Sequence, residues 1–179
     1  IITSSFWKDI METQKSIVIM NLNVSDAIIN HAFMDEFHEC GGYLLGSMIE
    51  KDGLKYFYVT QIYYEKNIIG KENEFNFSIL YEARAMNYAK SKNIEVIGCY
   101  HSHGQYPSSF SETDKNILEK HWASDKLCMI FSPKYFTLNC ETIFKDYQTQ
   151  KPQVLIKDGA KYLTFDRFYS QNAQLEKYL

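Results

Sequence analysis

His101, Ser102, His103, Ser111 and Asp114 form the pattern H-x-H-x7-S-x2-D. Two histidines at i and i+2 on a strand project from the same face, so both imidazoles can reach one ion. An aspartate returning from the next helix supplies a third ligand. Two nitrogens and one oxygen leave a fourth tetrahedral position open, the arrangement of a catalytic rather than a structural zinc site. Ions that prefer oxygen donors, such as calcium, do not select paired histidines. Background residue usage yields the full pattern in a chain of this length on the order of once in a few thousand cases. The plainer readings are exposed loop histidines and a helix capping box, S-x-x-D, at Ser111 to Asp114. Capping and ligation are compatible, because the box puts Asp114 in the first helical turn, aimed back at the strand end.

A second segment lies upstream: Glu39-Cys40-Gly41-Gly42-Tyr43-Leu44-Leu45-Gly46. A glutamate outside the ligand set can take a proton from zinc-bound water. The plain alternative is a solvated carboxylate at a helix end. An acid at a helix C-terminus is mildly unfavourable with the helix dipole, which hints at another reason for its presence.

The elements that must position these residues alternate between strand and helix. Ser16 to Leu22 reads as a strand, and a helix starts at Asn23 with Asp26 as a capping-box-like partner. Ile29, Phe33 and Phe37 repeat every fourth residue and are expected to face the core. Gly41 and Gly42 break this helix. Tyr43 to Ile49 and Leu54 to Tyr64 are β-rich runs joined at Asp52-Gly53, a two-residue hairpin signal. Asn67 to Asn73 reads as a polar loop. Ser78 to Lys92 is helical, with Tyr81, Ala85, Tyr88 and Ala89 on one face. Ile94 to Tyr100 is a buried strand leading into the histidines. A loop with Gly104 and Pro107 follows, then a helix over Ser111 to Ser124. Lys126 to Phe131 and Phe136 to Phe144 are strands about a Ser132-Pro133 turn. Val154 to Lys157 and Lys161 to Phe165 are strands joined at Asp158-Gly159, and a polar tail starts at Asp166. The reading is one mixed α/β domain over residues 16–165, with a largely antiparallel sheet, an N-terminal extension (1–15) and a C-terminal tail (166–179).

Bulk properties limit the alternatives. The 179 residues are 45% hydrophobic, 23% charged and 16% aromatic, with net charge −3. That excludes a disordered chain and a second domain of ordinary size. No basic stripe stands out, so nucleic acid is not expected as a partner. No apolar run approaches the ~20 residues needed to span a bilayer, and neither membrane nor secretory signal is expected. Cys40, Cys99, Cys128 and Cys140 form no C-x-x-C pair, so reduced thiols in a cytoplasm are expected. There is no G-x-S-x-G and no H-E-x-x-H. The H-x-E and P-C-x-x-C of zinc nucleobase deaminases are absent too.

Together the two chemical segments resemble the JAMM (MPN-plus, or JAB) family of zinc metallopeptidases. Glu39, Gly42, Leu44 and Gly46 match the first part of its signature, and His101, Ser102, His103, Ser111 and Asp114 match the second. The resemblance implies a cytidine-deaminase-like α-β-α sandwich. It implies zinc on His101, His103 and Asp114, Glu39 as general base and proton shuttle, and Ser111 as a donor to the oxyanion or bound water; no organic cofactor is implied. Two positions depart from the common pattern. Gly104 follows the second histidine where many members have Pro, and is expected to loosen the loop over the zinc. Cys99 stands where many eukaryotic members have Trp. The short span after Asp114 is similar to that of compact bacterial members, which lack the insertions with which eukaryotic relatives grip ubiquitin.

The implied activity is a peptidase or isopeptidase cutting after the C-terminal glycine of a ubiquitin-like protein. Partners would include E1- or E2-like proteins of the same system, in some relatives an antiviral one. A peptidase trimming a sulfur-carrier protein and a non-catalytic MPN scaffold are the competing readings. The chain carries 14 Tyr and 12 Phe against 2 Trp. Tyr43, Phe57, Phe131 and Phe144 are expected in the sheet. Tyr100, Tyr106 and Phe110 bracket the zinc motif, and some of them are expected to line the substrate channel.

Overall fold

The computed structural model describes residues 15–65, 70, 75–121, 125–143 and 149–171. The strands are β1 (Ser16–Asn21), β2 (Gly41–Lys51), β3 (Leu54–Tyr63), β4 (Glu95–Ser102), β5 (Lys126–Ser132), β6 (Thr137–Ile143), β7 (Thr149–Gln150), β8 (Gln153–Asp158) and β9 (Lys161–Thr164). The helices are α1 (Leu22–Met34), α2 (Ile79–Ser91), α3 (Glu112–His121) and α4 (Phe165–Gln171). The nine strands among the described residues form one mixed sheet in the order β7-β6-β5-β4-β2-β3-β1-β8-β9. β1 runs parallel to β3 and β8, and β4 parallel to β5; the remaining pairings are antiparallel. The fold is therefore mixed α/β with a mostly antiparallel sheet, as the element order suggests.

Strand alternation sends successive side chains to opposite faces, and helices cover both. Leu44, Ile97, Tyr100, Leu127, Met129 and Phe131 pack with Val24, Ile28, Ile29 and Ala32 of α1 and with Phe165, Phe168 and Tyr169 of α4. Tyr43, Leu45, Val96, Cys99 and Cys128 pack with Tyr81, Ala85 and Ala89 of α2. Tyr88, expected on the same face of α2, is instead exposed. Tyr43, Phe57 and Phe131 are buried as expected, while Phe144 lies outside the described residues. Phe168 and Tyr169, in the stretch read as a polar tail, belong to the core. Their spacing from Phe165, i+3 and i+4, is that of one helical face.

Phe37 is a correction. α1 ends at Met34, and Phe37 is 62% exposed rather than facing the core. Asp35 causes the stop: its Oδ1 accepts from the amides of Phe37 and His38, each at 3.1 Å. A short acid that captures following amides favours a turn over another helical turn. The boundary between β1 and α1 also shifts, with the helix starting at Leu22 after an extended Asn21.

His31 sits on the buried side of α1. Its Nδ1 lies 2.7 Å from Tyr100 Oη, and its ring stacks on Tyr64 with centroids 3.9 Å apart. Burial lowers its pKa to about 4. Unfolded histidine titrates near 6.5, so between these values the unfolded chain binds the extra proton. Stability is therefore complete above about pH 6.5 and falls as pH drops toward 4. Linkage gives roughly 2 kcal/mol lost between pH 7 and pH 5. Urea unfolding at both pH values should show this loss reduced in His31→Phe, and an equal loss in both proteins would remove His31 as its source.

Candidate metal centre

β4 carries the histidines to its C-terminal end, where it is flanked by β2 and β5. Gly41 faces His101 in the β2 ladder, and His101 pairs with Ile130 of β5. The His103 amide extends the parallel ladder by donating to the Phe131 carbonyl at 3.0 Å. Both imidazoles are buried. α3 then returns Asp114 to them from its first turn.

The three side chains meet. His101 Nε2 and His103 Nε2 are 3.1 Å apart. Asp114 Oδ1 is 3.1 Å from His101 Nε2, and Oδ2 is 3.4 Å from His103 Nε2. A tetrahedral zinc with ligand bonds of 2.0–2.1 Å sets its donor atoms about 3.3 Å apart, so the observed spacings fit that ion. Among the described residues, His101, His103 and Asp114 form the group of His, Cys, Asp or Glu side chains able to hold a metal ion.

Surrounding groups orient the donors. The Pro107 carbonyl lies 2.6 Å from His103 Nδ1. A proton donated there leaves Nε2 as the electron-pair donor, the usual outer support of a ligating histidine. The Ser111 amide and hydroxyl both donate to Asp114 Oδ2, at 2.7 and 2.6 Å. Asp114 N donates back to Ser111 Oγ at 3.1 Å. The capping box is thus formed, and it occupies Oδ2 while leaving Oδ1 toward His101.

Charge at the site favours a cation. Burial pushes Asp114 up, but hydrogen bonds from both histidines and from Ser111 hold it well below the usual carboxylate range. Burial lowers His101, against the opposing pull of Asp114. Burial also pulls on His103, yet the Asp114 and Pro107 contacts and the charges of Asp114 and Glu39 leave it above its ordinary value. Glu39 lies outside the three-donor group, buried at 6% exposure, just before β2.

Ser102, which points away from the two histidines, ties Glu39's segment to them. Its Oγ accepts from Cys40 N at 3.0 Å and its amide donates to the Cys40 carbonyl at 2.8 Å. No local pattern marks this role: alternation turns Ser102 to the face opposite the histidines, and its bond to Cys40 depends on the pairing of β2 with β4. The motif's glycine matters for the same junction. A Cβ on Gly42 would lie 2.4 Å from the Tyr63 carbonyl and 2.9 Å from the Tyr100 ring.

Of the three aromatics that bracket the motif, Tyr100 is buried against His31 on the α1 face. Tyr106 is 52% exposed, and Phe110 is half-buried against the α2-face cluster. Gly104 does not hang loose. It is buried at φ +51°, a value closed to proline, and a Cβ there would meet the Glu36 and Phe37 carbonyls at 3.2 and 3.3 Å. Gln105 Nε2 ties the same loop to the Glu36 carbonyl at 3.2 Å.

The four cysteines are free and buried. Burial pushes the Cys40 thiol up to about 11, which disfavours a nucleophilic thiolate. Among the described residues, no helix is long and apolar enough to cross a membrane.

Solved structures share the architecture. A protein of Desulfitobacterium hafniense aligns with TM-score 0.65 at 18% identity, covering 79% of this chain and 94% of its own. A protein of Salinibacter ruber aligns with TM-score 0.53 at 19% identity, covering 81% and 95%. These likenesses concern the fold alone. No curated protein matches the chain. The family described as prokaryotic homologs of the JAB domain matches residues 22–141, more than half of the chain and a span that holds Glu39, His101, His103, Ser111 and Asp114. The chain belongs to this family of prokaryotic JAB-domain proteins.

Proposed function

We propose that the protein is a zinc-dependent peptidase or isopeptidase that hydrolyses the bond after the C-terminal glycine of a ubiquitin-like protein, in deconjugation or precursor processing. The observation that carries this reading is the meeting of His101, His103 and Asp114 at zinc-like spacings, with Glu39 buried and its charge acting on His103. His101 Nε2, His103 Nε2 and Asp114 Oδ1 would hold the ion. Zinc with three protein ligands polarises a carbonyl and lowers the pKa of a bound water to about 7.

Glu39 takes the proton from the attacking water and returns it to the leaving amine. Its burial, and the pull of its charge on His103, suit a group that must act on the same centre. Ser111 donates its hydroxyl to the developing oxyanion, a contribution on the order of a few kcal/mol. The hydroxyl can turn away from Asp114 at small cost, because the Ser111 amide also donates to the same Oδ2. Helices on both sheet faces support the narrower reading of a cytidine-deaminase-like sandwich. E1- or E2-like proteins of a conjugation system, in the cytoplasm and in some settings antiviral, are the partners this reading proposes.

The test is turnover of a fluorogenic peptide amide ending in Gly-Gly by zinc-replete protein. Release of the amine supports the reading. Zinc binding without turnover of this probe or of an intact ubiquitin-like fusion favours a scaffold. Cys40→Ala should cleave within about twofold of the parent, since a buried thiol of raised pKa takes no part. A loss on the order of a hundredfold, with zinc retained, would point to thiol chemistry instead.

A further inference from the structure

β3 leaves β2 after the Tyr43–Tyr63 pair. Continued register would set Gly41 opposite Glu65. There a side-chain hydroxyl stands in for direct strand pairing. Tyr81 Oη donates to the Gly41 carbonyl at 3.1 Å and accepts from the Glu65 amide at 3.2 Å. Tyr81 is fully buried and comes from the first turn of α2, where its own amide donates to the capping Ser78 Oγ at 3.1 Å.

The same helix holds Glu65 by its side chain. Arg84, one turn beyond Tyr81, grips both carboxylate oxygens, with Nε to Oε1 at 2.5 Å and Nη2 to Oε2 at 2.8 Å. Tyr63 Oη adds a bond to Oε1 at 2.8 Å. A forked guanidinium–carboxylate contact of this kind restricts orientation as well as distance. On its other side Gly41 faces His101, and Cys40 is tied to Ser102. Gly41 is thus clamped between the ligand-bearing strand and Tyr81, and Glu39 leaves the chain two residues before that clamp.

We propose that Tyr81, braced by the Glu65–Arg84 pair, is a positioning residue for Glu39: its hydroxyl, spliced between Gly41 and Glu65, fixes the backbone from which the carboxylate reaches the metal centre. This rests on the reading of Glu39 as the general base. Proton transfer needs heavy atoms about 2.6–3.2 Å apart, and a misplacement of about 1 Å can cost on the order of a hundredfold in rate. A hydroxyl at the point where β3 departs supplies the restraint that the missing strand pair would otherwise give.

The test uses the zinc-loaded full chain with Tyr81→Phe, Arg84→Met and Tyr169→Phe. The last removes another buried tyrosine hydroxyl, bonded to Ser25 and Asp26 away from the site. Backbone amide exchange and turnover of the Gly-Gly fluorogenic amide are measured together. In Tyr81→Phe the Glu65 and Cys40 amides should exchange at least ~tenfold faster. Its kcat should fall on the order of tenfold with KM and zinc content unchanged. Arg84→Met, at a partly exposed position, should move both readouts in the same direction by less. Tyr169→Phe should move neither.

Unchanged exchange in Tyr81→Phe, unchanged kcat beside faster exchange, or an equal kcat loss in Tyr169→Phe overturns the inference. A parent that does not cleave the probe or a ubiquitin-like fusion overturns the reading of the site instead. Amide exchange then decides alone whether Tyr81 holds the Glu39 segment.

Discussion

Glu39→Gln is expected to lower kcat on the order of 10³-fold while zinc stays at about one ion per chain. The substitution keeps the shape of the side chain and removes its basicity. The backbone around it should hold, because Cys40 is bonded to Ser102 and Gly41 to Tyr81, contacts that do not involve the carboxylate. Zinc should remain because the three convergent donors are His101, His103 and Asp114. A modest weakening of zinc affinity is consistent with the account, since the charge of Glu39 acts on His103. Cleavage within about tenfold of the parent would remove Glu39 from the chemistry.

The second large effect is on the metal itself. His101→Ala should weaken zinc binding by at least ~10³-fold, since loss of a mere outer-shell partner already costs 10–100-fold. Zinc bound only by the folded state stabilises it by about 2.7 kcal/mol at a hundred times its Kd. For a chain of this size that raises Tm by roughly 5–10 °C. The shift should vanish in His101→Ala. Asp114→Ala should also lose it and start from a lower Tm, because the half of the capping box in which Asp114 Oδ2 accepts from the Ser111 amide and hydroxyl goes as well. A zinc-induced shift of parental size in His101→Ala would place the ion elsewhere.

The site was legible because its logic is local. Alternation along β4 aligns His101 and His103, and the capping box turns Asp114 back toward them. The supports were less so, because they come from partners distant in sequence. Ser102 bonds to Cys40 and Tyr81 to Gly41 and Glu65 only once β2 lies between β3 and β4. The parallel pairing of β1 with β3 and β8 likewise depends on long-range packing that no local pattern encodes.

Where local patterns misled, a competing interaction explains it. The four-residue spacing from Ile29 to Phe37 suggests one helical face, but Asp35 captures the next amides and ends the helix. Tyr100 neighbours His101 in sequence, yet alternation turns it to the opposite face, where its hydroxyl meets His31 Nδ1. The aromatic face of α4 was present as Phe165, Phe168 and Tyr169 and was hidden by the polar residues between them.

Zinc titration of chelator-stripped protein, with turnover of the Gly-Gly fluorogenic amide followed throughout, tests the central claim most directly. The account predicts turnover that rises from near zero in proportion to added zinc and levels off at one ion per chain. Turnover that is independent of zinc, or one equivalent of zinc bound with no turnover, would contradict it.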